Sequence, residues 1–146
     1  MAELHVHLVA VLTEQIRCAQ AMLGALTRES DALAGGDAEH LNAAGAEKAQ
    51  LVETLEALEA ERRTLVAAIS ADTGVNGGAH PEPQWQSLLQ LVAECKEQNQ
   101  RNGALLKARA EHVRSALRLL RGAEPQFYAA SGLSPALRSA RSLGSA

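Results

Sequence analysis

The stretch Asn99-Gln100-Arg101-Asn102-Gly103-Ala104-Leu105-Leu106 decides how the C-terminal part of the chain folds. An Asn-Gly pair usually marks a turn or a helix end. Here a row of residues spaced by seven runs through the pair without interruption. The row consists of Trp85, Val92, Asn99, Leu106, Val113 and Leu120. A turn would shift this row out of phase, so the spacing predicts one continuous helix. At this point its buried stripe carries polar residues and a glycine, which we call the polar spot.

The composition excludes most folds that are built on sheets. The chain has 146 residues, of which 47% are hydrophobic but only 2% are aromatic. It is rich in Ala, Leu, Glu and Arg, which are good helix formers. No proline occurs before position 81, which allows long uninterrupted helices. We therefore predict an all-α chain of long antiparallel helices that form a coiled-coil-like bundle.

Rows with the same spacing predict two further helices. Residues 2–33 carry Leu12, Ala19, Leu26 and Leu33, and residues 38–72 carry Ala44, Leu51, Leu58 and Leu65. Gly35-Gly36 separates the two helices, and Asp37 is a suitable N-cap for the second. With a third helix over 83–121, residues 1–121 are predicted to form a three-helix bundle. Lys48 and Arg62 are expected at the margin of the second stripe, with buried stems and charges in water.

Residues 122–146 differ in character from the helices. They are rich in Gly, Pro, Ser and Ala and hold Phe127 and Tyr128, which lie outside every helical row. Ser134-Pro135 favours a short helix over 135–143, with Leu133, Leu137 and Leu143 as its apolar residues. Such a helix is too short to be stable alone. We expect a segment that is mobile or folds on a partner, and the two aromatic side chains either cap the bundle or contact that partner.

No pattern of a catalytic or metal site is apparent. The five histidines are scattered, and the glycine-rich run before Pro81 lacks the lysine of a phosphate-binding loop. We therefore expect neither an enzyme nor a metal or cofactor site. The net charge of −3 divides into −7 over residues 1–80 and +4 over residues 81–146, and this division argues against nucleic acid, which favours an overall basic face. No apolar run is long enough to span a bilayer. Cys18 and Cys95 are expected to be free thiols in a reducing cytoplasm.

The polar spot itself has two interpretations. A single asparagine in a heptad row, here Asn99, can set helix register at some cost in stability. Asn102 and Gly103 fall in the neighbouring row, where a glycine allows another backbone to approach closely. Alternatively, the asparagines are simply hydrogen-bonded within ordinary bundle packing. We predict that these three residues serve register and packing rather than contact with a partner.

The same residues carry a resemblance to a known family. Asn99-x-x-Asn102-Gly103-x-Leu105-Leu106 resembles the Asn-x-x-Asn-Gly signature of FlgN-type flagellar export chaperones. Upstream, Glu29, Asp37 and Lys48 fit the pattern of the family's first hairpin, together with Ala32, Leu33, Leu41 and Leu51. Trp85 stands where the family often has a large apolar residue. The run 128–132 resembles the family's Tyr-Gly-x-x-Gly, with Ala129 in place of the usual glycine.

The resemblance implies a specific role. Members of this family are small cytosolic chaperones of the flagellar type III secretion system, without catalytic activity. They hold hook-associated proteins 1 and 3 by their C-terminal helical regions and help deliver them to the export gate. A client helix needs an apolar helical surface, which we expect on the third helix and the segment after it. The candidate contact residues are Val113, Leu117, Leu120, Phe127, Tyr128, Leu133, Leu137 and Leu143.

A different class of protein would show the same rows. A coiled-coil scaffold or adaptor without any export role has similar stripes, and heptads permit a monomeric bundle as well as a homo-oligomer. The ordered set of resemblances favours the chaperone. We also expect the segment after residue 122 to cover part of the bundle in the free protein and to rearrange when a client binds.

Overall fold

The computed structural model describes residues 2–74 and 81–123, and these residues form three long helices without a strand. Helix α1 spans Ala2–Gly35, α2 spans Ala38–Thr73 and α3 spans Glu82–Ala123. The predicted all-α fold with three long helices is thus confirmed. Helix α3 extends two residues beyond the predicted range 83–121, to Ala123. The predicted short helix over 135–143 lies outside the described residues.

The turn between α1 and α2 is built as the sequence predicts. Gly36 has a φ of 67°, a left-handed conformation that glycine adopts without strain. The Asp37 N–H donates to the Ala32 carbonyl at 3.0 Å, which closes the end of α1. The Asp37 carboxylate then accepts from the His40 N–H at 3.0 Å and caps α2. These bonds hold the pKa of Asp37 below its usual value, with the backbone bond from His40 as the largest cause.

The other two helix ends also follow local chemistry. Gly74, with a φ of 69°, closes α2 by donating its N–H to the Ser70 carbonyl at 2.9 Å. Helix α3 begins in the run Pro81-Glu82-Pro83, and the Trp85 N–H donates to the Pro81 carbonyl at 3.0 Å. Pro83 lies in the first turn, where a missing N–H costs no helical hydrogen bond.

The internal contacts divide the chain into two units, Met1–Leu105 and Leu106–Ala146. In the first unit, α1 and α2 run antiparallel, because Arg28 pairs with Glu47 and His7 with Glu61. The first part of α3 runs in the direction of α1, because the Asn102 amide reaches Leu26 and the Cys95 thiol reaches Ala19. In the second unit, the described residues are the helical residues 106–123.

Helix α1 supplies most of the core of the first unit. The predicted row Leu12, Ala19, Leu26 and Leu33 is buried, with exposed fractions of at most 5%. The central apolar cluster adds residues from all three helices. Its buried members are Leu8, Val11, Leu12, Ala19, Leu65, Ile69 and Leu88. Each large aliphatic side chain buried in this way stabilises the fold by about 1.5–3 kcal/mol.

The predicted inward row of α3 is wrong in phase. Val92 is 50% exposed and Asn99 is exposed, whereas Leu88 and Asn102 are buried. Between these two, Cys95 is half-buried, so the inward row is Leu88, Cys95 and Asn102. This row has the same spacing of seven and lies about 60° around the helix from the predicted row. Both rows contain apolar residues, and packing against α1 selects the second.

Candidate functional site

Asn102 is the most deeply buried polar residue of α3, with 2% of its surface exposed. Its amide nitrogen donates to the Leu26 carbonyl at 2.8 Å and to a carboxylate oxygen of Glu29 at 2.9 Å. Its amide oxygen accepts from the Gln98 side chain at 3.0 Å. Every hydrogen-bonding group of the Asn102 amide therefore has a partner, which a buried polar group needs.

The second helix joins this arrangement through Lys48. The Lys48 ammonium pairs with the Glu29 carboxylate at 3.0 Å and donates to the Asn99 side-chain oxygen at 3.0 Å. The Lys48 side chain is 24% exposed, and that of Glu29 is 14% exposed. We call Glu29, Lys48, Gln98, Asn99 and Asn102 the polar cluster. The Lys48 charge, which was expected in water, is only partly exposed and is bound by Glu29 and Asn99.

The polar cluster can fix how the three helices align along one another. It draws residues from α1, α2 and α3, and a shift of one helix by a single turn would leave a carboxylate and an amide buried without partners. A buried group left so costs about 1–3 kcal/mol. This geometry fits the register role predicted for Asn99 and Asn102.

Gly103 does not fit its predicted role. A Cβ atom built at Gly103 would meet nothing within 4 Å in the described part of the chain. The residue is exposed, next to the buried Asn102. The prediction of a close helix crossing at Gly103 is therefore wrong. The reason is the phase of α3, which turns Asn102 inward and Gly103 outward.

A second polar group lies nearer the other end of the α1–α2 pair. Glu59 binds Arg62 at 2.6 Å and Arg63 at 3.0 Å, and the Gln15 amide donates to it at 3.2 Å. The bond from Arg62 is the main cause that lowers the pKa of Glu59 to about 2. The Arg62 guanidinium also lies 4.8 Å from the centre of the Trp85 ring. Arg62 is thus paired and half-buried rather than free in water.

An apolar groove of about 260 Å³ lies between these two polar groups. Val52, Leu55 and Val92 line it together with Met22 and Cys95. Burial raises the pKa of the Cys95 thiol, which donates to the Ala19 carbonyl at 3.4 Å. Both cysteines are free thiols, as predicted.

The described part of the second unit carries an exposed apolar stripe. Leu106 is 52% exposed, Val113 is 51%, Leu117 is 46% and Leu120 is 58% exposed. Their spacing of seven, four and three places them on one face of α3, with the half-buried Ala110 between them. We call Leu106, Ala110, Val113, Leu117 and Leu120 the exposed stripe. An exposed row of aliphatic residues typically marks a binding surface.

Comparison with known proteins decides the family. A model of the family described as FlgN protein matches residues 1–135 of the chain. The chain belongs to the FlgN family. No curated protein and no solved structure matches the chain. The resemblance drawn from the residues is thus confirmed, and the family is one of flagellar export chaperones.

The FlgN signature residues can now be placed in the structure. Asn99 and Asn102 both belong to the polar cluster, where they meet Glu29 and Lys48. The sequence did not single out Gln98, which supports Asn102. The sequence does contain a signal for Gln98. It stands seven residues after Leu91, and these two half-buried residues form a row next to the inward row on the helix surface.

The predicted contact residues of this chain divide into two sets. Val113, Leu117 and Leu120 all lie on the exposed stripe. The others lie outside the described residues: Phe127, Tyr128, Leu133, Leu137 and Leu143. Within residues 2–74 and 81–123, no group of three or more side chains is arranged to hold a metal ion. None of the described helices is long and apolar enough to cross a membrane.

Proposed function

We propose that this FlgN-family chain is a cytoplasmic chaperone for hook-associated proteins 1 and 3. It binds their C-terminal helical regions, keeps them from premature assembly and helps deliver them to the flagellar type III export gate. It acts by binding alone, without catalysis or a cofactor. Membership of the family supports the general role. The identity of the clients rests on the resemblance set out above.

The observation that carries the proposal is the exposed stripe. Helical clients bind chaperones through apolar side chains that repeat at three and four residues. The stripe presents such a repeat, and its leucines and valine are about half exposed. Binding a client helix there would remove apolar surface from water at roughly 25 cal/mol for each Å². The polar cluster, which is bonded within the chain, serves the bundle instead.

Binding measured with purified proteins tests the proposal. The full chain is titrated with the C-terminal segments of hook-associated proteins 1 and 3 by calorimetry. The variant with Val113→Ser and Leu117→Ser should bind at least about tenfold more weakly, since both side chains are buried in the proposed complex. Leu119→Ser is the matched control. Leu119 is 76% exposed but lies off the stripe, so its loss should change affinity by less than about twofold.

A secretion assay extends the test to cells. Flagellated cells that carry the double variant should release less of both hook-associated proteins into the medium than cells that carry Leu119→Ser. Failure of the wild-type chain to bind either client would contradict the proposal. A stable self-assembled coiled coil without client binding would instead favour the scaffold interpretation.

The segment after α3 has its own test. A chain that ends at residue 123 lacks the remaining predicted contact residues, from Phe127 to Leu143. It should bind client more weakly while its helical circular dichroism for the three described helices is retained. Unchanged affinity would exclude these residues from the contact.

A further inference from the structure

The exposed stripe has a charged edge on one side. The stripe fits a heptad with Ala110 and Leu117 at position a and with Leu106, Val113 and Leu120 at position d. Position e is then basic in every repeat. Lys107, Arg114 and Arg121 occupy it, seven residues apart, and all are exposed. We call these three residues the basic edge. In coiled coils, the e and g positions lie beside the seam and choose the partner.

The part of α3 that holds the basic edge carries an excess of positive charge. Over residues 106–122 there are five basic side chains and one acidic side chain, Glu111. None of the ion pairs found in residues 2–74 and 81–122 includes a member of the basic edge. By contrast, Lys48 and Arg62 in the first unit are both held by carboxylates. The basic edge therefore offers three cations to whatever covers the stripe.

A second copy of this chain fits the edge poorly. In an antiparallel pair of such helices, position e faces position e of the other copy, which sets three cations against three. In a parallel pair, e faces g, and the seam's only charged g residue is Arg109. Either arrangement brings like charges together, which opposes pairing.

A membrane surface also fits poorly. Helices that lie on membranes have a broad apolar face, often with tryptophan or phenylalanine. The stripe instead has two residues in each heptad, and one of its five residues is the small Ala110. Residues 106–122 contain no Phe, Trp or Tyr. This narrow seam has the width that one partner helix fills.

We propose that the exposed stripe and the basic edge together select an amphipathic protein helix with acidic residues beside its own apolar seam. This proposal rests on the proposed function, because the acidic helix is taken to belong to the client. It adds the chemistry by which a client is recognised. The stripe supplies contact area, while the edge discriminates among apolar helices by pairing carboxylates and repelling cations.

A charge-swap experiment tests the proposal without an identified client. The probes are two designed helical peptides with leucine at a and d, one with glutamate at e and g and one with lysine there. Each peptide repels itself and stays monomeric. The full chain should bind the glutamate peptide at least about tenfold more tightly than the lysine peptide at low salt. The variant with Lys107→Glu, Arg114→Glu and Arg121→Glu should reverse that preference.

Single substitutions supply the matched control. Arg114→Gln and Ser115→Glu change the net charge equally and are neighbours, but Ser115 lies on the face opposite the stripe. Arg114→Gln should weaken binding of the glutamate peptide about twofold to fivefold. Ser115→Glu should leave it within about twofold. Equal effects would show a general response to net charge and would overturn the proposal.

Other outcomes overturn it as well. These are equal binding of both peptides, binding of neither, tighter binding to anionic phospholipid vesicles than to the glutamate peptide, and a dimer that the triple variant abolishes. Failure here is distinct from failure of the proposed function. If client binding depends on Leu117 but survives the triple variant, the chaperone role stands and the basic edge is excluded. If the charge swap succeeds but neither hook-associated protein binds, the basic edge selects acidic helices and the proposed clients are excluded.

Discussion

The first and second parts of α3 use the same spacing for opposite purposes. Within the first unit, the row Leu88, Cys95 and Asn102 faces the core and is buried or half-buried. Within the second unit, the row Leu106, Val113 and Leu120 is exposed. The first part has mixed charges, whereas the second is strongly basic. A heptad row therefore identifies a surface suited to packing against a helix, but it does not show whether that helix belongs to the same chain or to a partner.

The sharpest test of this comparison replaces one leucine in each row. Leu88 is 5% exposed and belongs to the central cluster, so Leu88→Ala should destabilise the protein by about 2–4 kcal/mol through lost burial and a cavity. Leu120→Ala, on the exposed stripe, should change stability by less than about 0.5 kcal/mol. Urea unfolding followed by circular dichroism measures both. Equal losses would show that the stripe is covered within the free chain.

The next test concerns the polar cluster. Asn102→Ala removes the donor to Leu26 and Glu29 and should cost about 1–3 kcal/mol. Asn99→Ala is the control, because exposed Asn99 makes one bond, to Lys48, and its loss should cost under about 1 kcal/mol. The same unfolding measurement compares them. If Asn99 proved the more costly position, the inward row would be the one first expected from the sequence.

Gly103 gives a smaller effect of opposite sign. Because nothing described lies within 4 Å of a Cβ placed there, Gly103→Ala should stabilise the protein by up to about 1 kcal/mol. Alanine loses less backbone entropy than glycine when a helix forms. A rise in Tm with unchanged client binding is the expected result. A fall in Tm would restore the idea of a close helix approach at this position.

The last test concerns a pH dependence in the first unit. Bonds from Arg62 and Arg63 lower the pKa of Glu59 from 4.5 to about 2, so the folded state binds this proton less well than the unfolded state. The resulting stabilisation is present above pH 4.5 and is lost as the pH falls towards 2. The stability difference between wild type and Glu59→Gln should therefore shrink over that range. Urea unfolding of both proteins between pH 7 and pH 2 measures this difference, and a difference that stayed constant would contradict the prediction.

Much of the fold could be predicted because it follows from local chemistry. Asp37 and Gly74 begin or end helices by bonds to residues three to five positions away, and Gly36 does so by its left-handed backbone, so the residues nearby in the chain suffice. The row of α1 could also be predicted, since Leu12, Ala19, Leu26 and Leu33 are all apolar and hold three of the helix's leucines. The phase of α3 could not, because its first part carries two rows of similar apolar character. What the sequence predicts for residues 75–80 and 124–146 lies outside the described residues and stays a prediction.

The candidate site divides in the same way. The sequence by itself determined that three helices form, where they end to within two residues, and that an apolar row with heptad spacing runs along α3, because periodicity is a property of the chain alone. Only the tertiary structure decided that Asn102 rather than Asn99 is buried, that Glu29 binds Lys48 and that Gly103 faces outward. These depend on which residues of α1 and α2 lie opposite α3. The local sequence pattern of one helix does not show which residues of a distant helix lie opposite it.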